Sequence, residues 1–308
     1  IIIISGEPES IFFEIFFKSI KKYKSRSPLI LIASSKLLNF QMKKFNFKKK
    51  IQKINLLELK NKKLNNNFIN LIDVNYSSKN SNDYLKECFE IAFKILRTGY
   101  THKLINGPIN KSSFLNKKYL GITEYISKKF KKNKTAMLIY NKEISVCPIT
   151  THLPLKLVHK NITSKTIKDK TILINDFYQK MFKFKPKIAV TGLNPHCESI
   201  LNYNEDNEII TPTIKSLKQK GYKVYGPFPA DTIFLKQNRF KYNVILGMYH
   251  DQVLSPMKTI KEYDAINITL GLPFLRVSPD HGPNKKMKNL NFSNPLSLMN
   301  AIKFLDIK

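Results

Sequence analysis

The chain has 308 residues, 42% of them hydrophobic, with a formal net charge of +31. That length can bury a sizeable core in one or two domains, and no apolar run reaches the ~18 residues of a bilayer-spanning helix. The charge is almost all lysine, with Arg only at Arg26, Arg97, Arg239 and Arg276. Nucleic-acid readers lean on the planar Arg fork, so nucleic acid is disfavoured as a partner. Lysine with abundant Asn and Ile instead fits coding drift in an A+T-rich genome.

The opening Ile1–Ser5 lacks the basic flank and small-residue cleavage site of a signal peptide, and predicts a buried first strand. Further strands are predicted at Leu29–Ala33, Lys103–Asn106, Met137–Tyr140, Ile144–Ile149, Lys187–Thr191, Lys223–Tyr225, Asn243–Met248 and Ala265–Leu270. Between them, Asp83–Arg97 carries Leu85, Phe89, Ala92 and Ile95 at helical spacing, and Ser164–Phe182 and Pro295–Leu305 also read as helices. Asn294 or Ser293 is placed to cap the last one. The Lys/Asn-rich tract 43–63 reads as a variable edge of the fold. Strand–helix alternation of this length predicts an α/β fold on mostly parallel sheets, whose ligands gather beyond the carboxyl ends of the strands.

Polar motifs fall at those ends: GEPES, NGPINK, TTHLPL, GLNPH and MYHDQ. Three of the six histidines, His152, His196 and His250, each lie just past a strand. Three imidazoles on strand-end loops make an open metal site with positions free for substrate. Asp251 and Asp231 are placed to ligate a metal or to orient a ligand. Cys88, Cys147 and Cys197 form no CxxC pair, and the odd count fits a reducing cytoplasm. Cys197, beside His196, reads as a small buried side chain. The chain has no GxGxxG, GxxxxGK[ST] or GxSxG, which removes support for a standard Rossmann fingerprint, a P-loop and a nucleophile elbow.

The string AINITLGLPFLRVSPDHG, together with MYHDQ, GPFPADT, GLNPH, TTHLPL, GPINK and GEP, resembles the 4-hydroxythreonine-4-phosphate dehydrogenase family of vitamin B6 biosynthesis. The words occur in the family's order along essentially the whole chain. The resemblance implies two α/β/α domains around mostly parallel mixed sheets, like isopropylmalate dehydrogenase, with a cleft between them. On this analogy residues 1–125 with 268–308 form the first domain and 126–267 the second. It also implies a cytoplasmic homodimer with a shared active site, using NAD or NADP without a Gly-rich fingerprint. His152, His196 and His250 would hold Zn, Mg, Mn or Co. The implied reaction is oxidation and decarboxylation of 4-phosphooxy-L-threonine to 3-amino-2-oxopropyl phosphate. Thr123, Lys258, Asn267 and Arg276 fall on the family's substrate-binding positions, and Lys258, Asp251 and Asp231 are the candidates for catalytic roles. Arg276 and Lys258 supply charge for phosphate or carboxylate, and Asn267 offers both a donor and an acceptor.

The chain departs from the family pattern in four places. The family's GHTE reads GITE, so Ile122 replaces a substrate-contacting His. The glycine-bearing stretches after GEP and GLNPH read ESIFFE and CESI, and DHGTA becomes DHGPN. Either Glu7, Lys111, Thr123 and the three histidines suffice, or the preference has moved to a related four-carbon sugar-acid phosphate. A third reading is a catalytically impaired relative.

Overall fold

The computed structural model describes residues 1–77, 81–110, 114, 119, 121–199, 203–280, 282–288 and 290–307. In chain order the strands are β1 (Ile2–Ile4), β2 (Ile30–Ala33), β3 (Ile51–Lys53), β4 (Ile69–Asp73), β5 (Lys103–Asn106), β6 (Ala136–Tyr140), β7 (Ser145–Thr150), β8 (Ile188–Thr191), β9 (Val224–Phe228), β10 (Val244–Tyr249), β11 (Ile266–Leu270) and β12 (Leu275–Pro279). The longer helices are α1 (Phe12–Lys22), α2 (Ser35–Lys44), α3 (Ser81–Arg97), α4 (Ile122–Lys129), α5 (Ser164–Phe182), α6 (Thr211–Gln219), α7 (His250–Lys261) and α8 (Leu296–Ile307). None of the described helices is long and apolar enough to cross a membrane.

The chain divides into two compact units, Ile1–Lys118 with Pro273–Lys308, and Tyr119–Leu272. In the first unit the strands run β3-β4-β2-β1-β5-β12, every pair parallel. In the second they run β11-β6-β7-β10-β8-β9. There β6 is antiparallel to both neighbours, and β7, β10, β8 and β9 are parallel. The α/β class on mostly parallel sheets therefore holds.

Burial explains the first unit's order. The isoleucines of β1 are fully enclosed, and α1 turns a broad apolar face inward, burying Phe12, Phe13, Ile15, Phe16 and Phe17, with Lys18, Lys21 and Lys22 on its other side. Phe17 stacks on Phe47 with centroids 4.4 Å apart. The buried carboxylate of Glu14 is satisfied by Lys18 Nζ at 2.8 Å and by the backbone N–H of Ser293 at 2.7 Å. Asn294 Oδ1 accepts from Leu296 N at 2.9 Å, where α8 begins. Two glycines let β1 and β5 end side by side. Gly6 has φ +76° and a Cβ there would meet Pro108 O at 2.4 Å, while one on Gly107 would meet Ser5 O at 2.4 Å.

Asp306 of α8 accepts from Arg26 N (2.8 Å), Ser27 N (2.7 Å) and Tyr23 Oη (2.7 Å). Burial alone would raise its pKa. The donated hydrogen bonds outweigh that and hold the carboxyl well below the usual range. A depressed carboxylate pKa stabilises the fold above the unfolded-state value of about 4 and ceases to do so as pH falls through the folded value. Asp306→Asn is therefore expected to lose about 1–2 kcal/mol at neutral pH, discounted for partial exposure. Its deficit relative to wild type should shrink on acidification, as followed by denaturant melts from pH 7 to pH 3.

Candidate active site

In the second unit, β7, β10 and β8 are adjacent and parallel, so their carboxyl ends present His152, His250 and His196 on one edge of the sheet. This edge is stitched together by side chains. Thr150 Oγ1 donates to Met248 O at 2.8 Å, joining β7 to β10. Gln252 Oε1 accepts from Met248 N (2.7 Å) and from Thr191 Oγ1 (2.8 Å), and its Nε2 donates to Gly192 O (2.8 Å). One amide thus ties the start of α7 to both strands. Helix α7 also sits directly on β10, because a Cβ at Gly247 would meet Val253 Cγ1 at 2.2 Å.

His250 is the first residue of α7, and its Nδ1 donates to Asp251 Oδ1 at 2.6 Å. That bond fixes the tautomer and leaves Nε2 as the free lone pair. The rings of His152 and His250 lie 5.8 Å apart, centroid to centroid. Two imidazoles on one zinc stand roughly 5–6 Å apart, given a Zn–N bond of about 2.0–2.1 Å. The pair therefore fits a shared divalent cation.

His196 is not part of this pair. It lies beyond β8, exposed, on a left-handed turn with φ 55°. The turn is held by the buried Asp206, which accepts from Leu193 N (2.8 Å), Asn194 N (3.1 Å) and Asn194 Nδ2 (2.9 Å). Among the described residues, no three His, Cys, Asp or Glu side chains gather as a metal site. Cys197 offers no thiolate, since burial first and then Asp206 push its thiol up to about 11. Asp231 is exposed and adds to the same negative field at Cys197.

The GITE turn opens α4 beside His152. A Cβ on Gly121 would meet Glu124 Oε2 at 2.7 Å and the His152 ring at 3.2 Å, so only glycine fits between them. Glu124 Oε2 is buried with no hydrogen-bond partner among the described residues. A buried carboxylate oxygen without a partner is costly, so a cation or a hydrogen-bond donor placed here would be stabilising. Sequence spacing gave no signal for Glu124, Gln252 or Asp206. Thr123 lies in the first turn of α4, and Ile122 is 6% exposed, turned into the core. Asn267 sits on β11 with its Oδ1 buried and unpartnered among the described residues. Lys258 lies on α7, about 12 Å along the axis from His250 at 1.5 Å per residue.

The first unit carries its own polar cluster at the ends of β1 and β5. Arg276 on β12 is 3% exposed, and its Nε donates to Asn106 Oδ1 at 2.7 Å. Glu7 of GEP is 5% exposed with Oε2 buried and unpartnered among the described residues. The ESIFFE stretch that replaces the family's glycines begins α1, and the Phe12 ring lies against Gly107. Lys111 lies outside the described residues.

Known proteins are similar to this chain in sequence and in fold. The model of the pyridoxal phosphate biosynthetic protein PdxA matches residues 24–305. The 4-hydroxythreonine-4-phosphate dehydrogenase of Sulfurihydrogenibium sp. is 35% identical over 312 aligned positions, covering 96% of this chain and 94% of that protein. The D-threonate 4-phosphate dehydrogenase of Pectobacterium atrosepticum is 33% identical over 203 positions, covering 65% of this chain and 62% of that one. Among solved structures, a 4-hydroxythreonine-4-phosphate dehydrogenase from Klebsiella pneumoniae superposes with TM-score 0.84 at 27% identity, over 99% of this chain and 96% of that one. A beta-decarboxylating dehydrogenase from Thermococcus kodakarensis shares the fold at TM-score 0.56 and 12% identity, over 99% and 81%. By its motifs, its fold and a match running from residue 24 to residue 305, the chain belongs to the family of the pyridoxal phosphate biosynthetic protein PdxA.

Proposed function

We propose that this chain is a metal-assisted, NAD- or NADP-linked dehydrogenase that oxidises and decarboxylates 4-phosphooxy-L-threonine, acting in the cytoplasm as a homodimer with a shared site. The observation that carries the metal part of this reading is the His152–His250 pair, with His250 fixed by Asp251. His152, His250 and the His196 of a second copy would hold the cation. When bound, a divalent cation lowers the pKa of the substrate hydroxyl and steadies the negative charge left on decarboxylation, while the nicotinamide takes up the hydride. Asp251 holds the His250 ring in its liganding tautomer, and the buried Glu124 carboxylate near His152 adds negative charge that favours a cation. Arg276, pre-set by Asn106, grips phosphate or carboxylate as a fork. Asn267 presents an acceptor, unpartnered among the described residues, to a hydroxyl or ammonium group, and Lys258 and Thr123 add polar contacts.

The direct test is NADH or NADPH formation by purified protein with 4-phosphooxy-L-threonine and added Zn, Mg, Mn or Co. The expected result is turnover that chelation abolishes and metal restores. Turnover that survives exhaustive chelation removes the metal from the reading. Equilibrium dialysis gives a second readout. Glu124→Gln should weaken metal binding about tenfold, because it keeps the side chain's shape and removes a buried negative charge near His152. Unchanged metal affinity would leave Glu124 without that role.

One feature favours a second substrate. Ile122 is buried and apolar at the place where the family carries a substrate-contacting His, so that polar contact is gone. The Pectobacterium relative is named for D-threonate 4-phosphate, which lacks the amino group. Comparing kcat/KM for the two phosphates decides between them: a preference for 4-phosphooxy-L-threonine supports the first reading and the reverse supports the second.

A further inference from the structure

The first unit contains a recess of about 700 Å³ that lies away from Glu7, Asn106 and the carboxyl ends of the strands. It opens at the amino-terminal ends of β2 and β4, between the last turns of α1, the segment Tyr23–Leu29 and residues 64–69. Its volume is in the range of small-molecule sites, roughly 300–1,000 Å³. Phe16, Ile20 and Phe68 supply apolar lining, and Lys24, Arg26 and Lys49 supply positive charge.

Two observations make this more than a surface dent. Lys49 is half-buried, and among the described residues no carboxylate pairs with it. Burial lowers its pKa, so the cation is held at a cost that a bound anion would remove. The wall that carries Lys24 and Arg26 is also built rather than loose. Asn66 Nδ2 donates to Ser25 O (2.8 Å) and Ser27 O (2.9 Å), and its Oδ1 accepts from Leu29 N (2.9 Å). From behind, Asp306 accepts its three hydrogen bonds from Tyr23, Arg26 and Ser27, so its oxygens are already engaged by the wall. A rim fixed in advance loses little entropy when a ligand arrives.

We propose that this recess binds a small aromatic anion, its carboxylate or phosphate toward Lys49 and Arg26 and its ring against Ile20 and Phe68. An inorganic ion alone would leave most of the apolar lining wet, and a neutral aromatic would leave Lys49 unpaired. The inference does not depend on the dehydrogenase reading, because no residue of the recess is assigned to that site.

The test is isothermal titration of the full chain with 1-naphthyl phosphate, 1-naphthol and inorganic phosphate. The expected result is one equivalent of 1-naphthyl phosphate bound, with the other two probes at least about ten times weaker. Lys49→Gln should weaken 1-naphthyl phosphate about tenfold, and the filling variant Ile20→Trp should abolish its binding. Both variants should keep the wild-type melting temperature and rate of nicotinamide reduction, while Arg276→Lys should leave the titration unchanged. The proposal is overturned by no binding to wild type, by binding that ignores Lys49→Gln and Ile20→Trp, or by binding lost in Arg276→Lys, which would place the probe in the other site. Equal affinity for inorganic phosphate would overturn the aromatic part.

Discussion

His152→Ala and His196→Ala are each expected to lower turnover about a thousandfold, roughly 4 kcal/mol, and co-refolding the two is expected to restore about a quarter of the wild-type rate. The expectation follows from the positions of the rings. Within one chain His152 and His250 stand as a pair, whereas His196 is exposed on its own turn and no three ligating side chains gather among the described residues. If a second copy supplies His196, a dimer of the two variants has one intact site and one doubly damaged site. Random pairing makes half of the dimers mixed, which gives the quarter. The measurement is activity against mixing ratio, with metal content by dialysis alongside. A mixture as inactive as its parents means that all three histidines serve one chain's own site, or that they share none.

Arg276→Lys should raise KM about ten- to a hundredfold with a smaller effect on kcat. Lysine keeps the charge but loses the planar fork that grips two oxygens at once. The Arg is also a structural partner, since Nε donates to the buried Asn106 Oδ1. Arg276→Met would strip both roles and leave that oxygen unsatisfied, a further cost of about 1–3 kcal/mol in stability. Steady-state kinetics with thermal melts of both variants separates the two contributions. A lysine variant with wild-type KM and a lowered melting temperature would reduce Arg276 to a tie between β12 and β5.

The parts of the fold visible in the sequence are those in which local signals agree. Helix α5 runs over Ser164–Phe182 as its pattern predicts, because Thr163 and Thr166 form a capping box and Lys183 closes it in a left-handed turn. Helix α1 does carry a broad apolar face, Phe12, Phe13, Ile15, Phe16, Phe17 and Ile20 opposite Lys18, Lys21 and Lys22, but no side-chain cap marks its start at Ile11. Helix α7 is hidden as well: it starts at His250 with no side-chain cap and carries Pro256 inside, so MYHDQ reads as a loop. Strands β3 and β4 are masked by their Lys/Asn-rich surroundings, and β12 by the motif that overlies it. At the site, the histidines could be found because strand ends are legible. Glu124, Gln252 and Asp206 could not, because their roles depend on burial and on partners distant along the chain.

The first unit is assembled from the two separated stretches Ile1–Lys118 and Pro273–Lys308. Several groups near its start reach partners in the second stretch: Glu14 at Ser293, Lys18 at Asn291 O, Ser19 at Pro295 O and Tyr23 at Asp306. On the ribosome, α1 therefore waits for the last segment with Glu14 paired only to Lys18 and its packing against α8 unmade, while Tyr119–Leu272 is complete earlier. The middle of the chain should mature first. A nascent chain stalled before Pro273 should expose its opening helix to chaperones and proteases while its central unit already resists them.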